Sequence, residues 1–195
     1  MTTLGRNSEI RTPTGMKVAP QSYRTLEAAA DQLRPLLPTV GSNSFMIDGW
    51  RLLEKTLRQA GYEPHIEDEK DLQDCAAFAI PDRKLVVLRE DIYDGLFTDS
   101  AFARSTVVHE LTHIVLNHHV TCHRGAELGK HRFYEDSEWQ AKAMTAAVMM
   151  PLEACKAVTS AEQLAAMCGT SNQAARYRLE RLEKDGLIAP KGLFW

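Results

Sequence analysis

The stretch STVVHELTHIVLNHH, residues 105–119, constrains the fold more than any other part of the chain. Val107, Val108, Leu111, Ile114, Val115 and Leu116 make it apolar nearly all round, the pattern of a helix buried on every side. Two histidines and a glutamate cannot be carried into an interior alone, because each loses its hydration and needs a partner there. The fold must therefore bring partners to His109, Glu110 and His113.

At about 100° per residue, His109 and His113 stand roughly 40° apart on one helix face. Two imidazoles one turn apart can reach a single metal ion. Glu110 lies about 100° round from His109, out of the plane of those ligands but able to accept a proton from a water beside the metal. This is the mechanical sense of H-E-x-x-H. Zinc brings the pKa of its water near neutrality, and the glutamate takes the proton as that water attacks a carbonyl. His118 points about 180° away from His109, and His119 about 80° off on the other side, so neither shares the metal while the helix stays regular. Both suit the negative end of the helix dipole.

The surrounding chain has the makings of one domain with an appendage: 195 residues, 44% hydrophobic, 25% charged, net charge −3. That balance excludes a molecule held to nucleic acid by its overall charge. The longest apolar runs are too short to span a bilayer, and the polar N-terminus has no secretory apolar region, so we expect a cytoplasmic protein without membrane contact. Cys75, Cys122, Cys155 and Cys168 form no CxxC pair and read as free thiols. Residues 1–20 read as a flexible lead-in. The stretches SYRTLEAAADQLRPLL and FMIDGWRLLEKTLRQAG have helical spacing. CAAFAI and KLVVLRE read as a hairpin about PDRK, with an earlier strand near Tyr62–Ile66. A long helix then runs to His119, capped near Thr98 or Asp99, followed by a loop and by a helix starting at Asp136 or Ser137. The class is α+β.

A catalytic zinc needs a third protein ligand and an open position. Downstream candidates are Cys122, His123, Glu127, His131, Glu135, Asp136 and Glu138. The alanines of SEWQAKAMTAAVMMP allow close helix approach, and a first-turn Glu138 could aim at the histidines, although a surface glutamate would favour the same position. ARSTVVHELTH followed by EWQAKAMTAAVMMP resembles the ImmA/IrrE family of metallo-endopeptidases. That family carries an H-E-L-x-H helix and then a helix of the form E-W-E-A-N-x-F-A-x-x-L-L-M-P. Glu138, Trp139, Ala141, Met150 and Pro151 match, with Met144 in the aromatic position, and the likeness is strong over roughly residues 100–151. The chain departs at Thr112 for Gly, Gln140 for Glu and Lys142 for Asn, and the last two could alter the groups behind the ligands.

The resemblance implies a zincin-like domain over residues 21–151, with a small β-sheet and an HExxH helix. It implies Zn²⁺ held by His109, His113 and Glu138, with Glu110 as general base. The substrate it implies is a helix-turn-helix repressor, cut or displaced to induce genes after DNA damage or phage and mobile-element stress. Residues 152–195 read as a helix-turn-helix-like segment, whose Arg176, Arg178 and Arg181 could serve DNA or grip the repressor. The histidine- and arginine-rich loop before residue 133 could meet single-stranded DNA as an activator. Tyr134 and the loop histidines are the nearest candidates for stabilising an oxyanion. Cys122, in the same loop, could fold back as an inhibitory fourth ligand. The rival reading is a DNA-binding or repressor-binding regulator with a structural zinc and no proteolysis, in which an intact Glu110 would have no use.

Overall fold

The structure, a computed structural model, describes residues 14–73, 75–118 and 131–191. Helix α1, Tyr23–Leu33, starts at a Ser22 capping box, and its last turn tightens into a 3₁₀ run at Arg34–Leu36 before Pro38. Helix α2 starts at Gly49–Arg51 behind an Asp48 cap and continues as a π-helical run, Leu52–Leu57. It begins later than its sequence suggests, because the Asp48 side chain accepts the Arg51 N–H and sets the start there.

Three strands follow: β1 Glu63–Glu67, β2 Ala77–Ile80 and β3 Leu85–Arg89, in the order β1-β3-β2. β2 and β3 form the expected hairpin through Pro81–Arg83, with Lys84 left-handed at the turn, while β1 lies parallel to β3. β3 is buried at Val86, Val87 and Leu88, as a central strand should be. β2 is an edge strand. Its Ala76 carbonyl accepts the Arg89 N–H, and bonded pairs recur at every second residue of an antiparallel ladder. The backbone groups of Ala77 and Ala79 therefore turn away from β3.

Helix α3, Glu90–Gly95, has no counterpart in the sequence reading, and helix α4, Ala101–Val115, is shorter than the helix expected to run to His119. Ser100, rather than Thr98 or Asp99, caps α4; Asp99 is left-handed and pairs with Arg104 instead. Helix α5, Ser137–Met149, packs its alanines against α1 and α4. A short α6, Leu152–Ala157, leads to α7, Ala161–Cys168, and α8, Asn172–Lys184, which turn about a left-handed Gly169. The architecture is α+β: a small three-stranded sheet, the HExxH helix and a helical C-terminal segment. One continuous core joins α1, the sheet, α4 and α5 to Leu164, Leu179 and Leu182 of the last two helices. Among the described residues no helix is long and apolar enough to cross a membrane.

Candidate metal centre

Helix α4 ends sooner than its apolar run suggests. Asn117 is left-handed, the Asn117 N–H bonds the Ile114 carbonyl, and the His118 N–H bonds the His113 carbonyl at 2.9 Å. This double closure is a Schellman stop, with Asn117 in the position that tolerates the left-handed turn. It swings His118 out of the helical register and back towards α5. The opposed placement expected for His118 on a regular helix is thus corrected. The ring is buried, its Nδ1 stands 3.1 Å from Nδ1 of His113, and its Nε2 stands 3.1 Å from Oε1 of Gln140. Burial pushes the pKa of His118 down to about 4.

The start of α5 is fixed by Asp136. Its carboxylate accepts the Trp139 N–H at 2.8 Å and the Gly15 N–H at 2.8 Å, and pairs with Nε2 of His131 at 2.9 Å. Residues 15–21 run along this corner, where Met16, Val18 and Gln21 bond to residues 134–137. Gly15 comes so close that a Cβ there would stand 2.5 Å from Oγ of Ser137 and 2.8 Å from Cγ of Glu138. The first turn of α5, and Glu138 with it, is held from two sides.

That turn brings Glu138 to the histidines. Nε2 of His109 lies 3.1 Å from Nε2 of His113, and the carboxylate presents one oxygen to each ring, at 3.4 and 3.2 Å. Ligand atoms held about 2.0–2.1 Å from a tetrahedral zinc stand about 3.3–3.4 Å apart. The two nitrogens stand close to such a separation, each meets a different oxygen of the carboxylate, and one ligand atom from each residue lies within 4.8 Å of the others, so the three residues can share one ion; the N, N, O donor set suits zinc. The two imidazoles hold Glu138 well below the usual carboxylate range.

Glu110 stands beside this face and is 5% exposed. Burial raises its pKa to about 7, against the pull of the His113 charge; Glu138 adds to the rise and the Ala79 N–H, which the carboxylate accepts, opposes it. That N–H belongs to the outward set of β2, so the edge strand and the carboxylate meet directly. Both open onto a cleft of about 1310 Å³. Ala77, Phe78 and Ala79 of β2, the site residues His109, Glu110, His113 and Glu138, and Tyr177, Arg181 and Lys184 of α8 all line it.

Of the other candidates for a third ligand, His131 and Asp136 are spent on each other, and Glu135 accepts the Arg132 N–H and pairs with Lys17. Cys122, His123 and Glu127 lie outside the described residues. Tyr134 is not among the cleft-lining residues; its hydroxyl accepts from Arg132. Arg178 of α8 is turned inward onto Glu27 and the Met150 carbonyl, and Arg181 lies 3.7 Å from the centre of the Tyr23 ring. Thr112, where the family has Gly, is fully buried between α4 and α5, its hydroxyl on the His109 carbonyl at 2.7 Å. Sequence reasoning missed the contact from His118 to His113 and the share of α8 in the cleft. Asn117, a residue at ease in the left-handed region, was the available signal for the first; the second rests on contacts distant in sequence.

Residues 99–180 match the family model Peptidase_M78, described as IrrE N-terminal-like domain. The match spans His109, Glu110, His113 and Glu138 and extends into α8. Comparisons with curated proteins and with solved structures gave no match.

Proposed function

From the match of residues 99–180 to the IrrE N-terminal-like domain we propose that the chain is a metallopeptidase of the ImmA/IrrE type, a zinc endopeptidase whose substrate is a helix-turn-helix repressor. The observation that carries the reading is the convergence of His109, His113 and Glu138 on one point, with their ligand atoms within 4.8 Å of one another and Glu110 alongside. His109, His113 and Glu138 would hold the metal. When bound, zinc supplies Lewis-acid chemistry, polarising a carbonyl and making nearby water more acidic.

The remaining work falls to the chain itself. An extended segment of substrate can add to the outer edge of β2 at the Ala77 N–H and the Ala79 carbonyl, while the Ala79 N–H is held by Glu110 and the Ala77 carbonyl by the Cys75 thiol. The small side chains there let a second backbone approach. Glu110, bonded to the same strand, takes the proton from the attacking water and returns it to the leaving amine. Its burial keeps that proton out of bulk solvent. The inward engagement of Arg178 and Arg181 supports α8 as a wall of the substrate cleft rather than a reader of DNA. Induction of genes after DNA damage or phage stress, an origin in the cytoplasm and activation by single-stranded DNA belong to the same proposal, on the strength of the family resemblance. On sequence grounds alone we keep Cys122 as an inhibitory fourth ligand; unchanged resting activity in Cys122→Ser would remove it.

The test is zinc content beside cleavage of the repressor encoded next to the gene. The parent should hold one zinc per chain. His109→Ala, His113→Ala and Glu138→Ala should each lose it, while Glu135→Ala should keep it. Full zinc in Glu138→Ala would overturn the ligand set.

A further inference from the structure

Gln140 stands where the family pattern has a glutamate, and its amide is fixed at both ends. Its Nε2 donates to the carbonyls of Ala19 and Tyr134, each at 2.8 Å. Carbonyls only accept, so the amide cannot be turned the other way, and both its hydrogens are used. Oε1 is left as an acceptor, and Nε2 of His118 is its donor at 3.1 Å. A neutral imidazole carries one N–H. With that hydrogen on Nε2, Nδ1 of His118 must accept, and the group 3.1 Å from it is Nδ1 of His113. His113 is therefore protonated on Nδ1. That leaves Nε2 of His113, the atom 3.2 Å from Glu138, as the position a metal would take.

We propose that Gln140 and His118 form a neutral relay that sets the tautomer of His113 and aims its Nε2 lone pair at the metal, with the Ala19 and Tyr134 carbonyls as the fixed end. Both are positioning residues. The proposal rests on the reading of His113 as a ligand. It also explains the departure from the family pattern. An amide donates at one end and accepts at the other, whereas a carboxylate at residue 140 would face two carbonyls it could not satisfy. The same carbonyls tie the relay to residues 15–21 and to the corner that carries Glu138. One packed unit thus holds a histidine ligand and the carboxylate ligand in register.

Long-range ¹⁵N–¹H spectra of the full chain in chelator read the tautomers directly, with no substitution needed. His118 should appear protonated on Nε2 and His113 on Nδ1. His118→Phe, which keeps the ring volume and cannot accept from His113, should weaken zinc binding about 10–100-fold and leave His113 as a mixture of tautomers. Gln140→Met should do the same to a lesser degree. A metal-free parent whose His113 carries no hydrogen on Nδ1, or zinc bound as tightly by His118→Phe as by the parent, would overturn the relay. A parent that binds no zinc would instead overturn the reading on which the relay rests.

Discussion

At the residue scale, burial weighs on Glu110. Its pKa in the folded chain is about 7 against an ordinary 4.5, so folding favours its protonated form. That contribution is complete below pH 4.5 and is lost as pH rises through 7. At pH 8, metal-free Glu110→Gln should therefore be more stable than the parent by about 3 kcal/mol at most, and the gap should close towards pH 4.5. His118 works in the opposite sense: its pKa is pushed from 6.5 to about 4, so its contribution is present above 6.5 and is lost as pH falls through 4. Comparing parent and variant at each pH cancels that background. Thermal melts in chelator across the range check this, and a gap independent of pH would contradict it. Glu110 and the two histidines were legible in the sequence because motif spacing and helical geometry are local. His118 was not, because a single left-handed residue, Asn117, breaks the wheel on which it was placed.

At the element scale, the start of α5 decides whether Glu138 reaches the histidines. Asp136 answers three donors there: the backbone of Gly15, the backbone of Trp139 and the imidazole of His131. Asp136→Ala strands all three in a buried corner. It should cost about 2–3 kcal/mol of stability, more than a surface cap alone. Because Glu138 lies on that first turn, zinc affinity should fall in the same variant. Melting with and without added zinc separates the two effects, and equal stabilisation of parent and variant by the metal would detach Asp136 from the site. The cap itself was legible as Asp136 or Ser137, and the hairpin about PDRK was legible from its turn residues. Helices α3 and α6 were not. Each has only six residues, too few to show a helical period, and their packing holds them in place.

At the scale of the whole molecule, the C-terminal helices are built into the same core as the HExxH helix. Arg104 of α4 donates to the Gly169 carbonyl at the α7–α8 turn, and Arg178 of α8 pairs with Glu27 of α1, 151 residues away in sequence. A helix-turn-helix spacing was visible in the sequence, but the partners of its arginines were not, since no local pattern encodes contacts across such separations. The result is a cleft lined together by the outer edge of β2, by α8 and by His109, His113, Glu138 and Glu110. Whether this arrangement cuts peptide bonds with Glu110 as base is decided by comparing parent and Glu110→Gln at equal zinc content on the neighbouring repressor, with fragments read by mass spectrometry. The parent should make a zinc-dependent cut, and the variant should be slower by about 10²–10⁴. Equal cutting by the two proteins, or a zinc-loaded parent that leaves the repressor whole, would contradict that role.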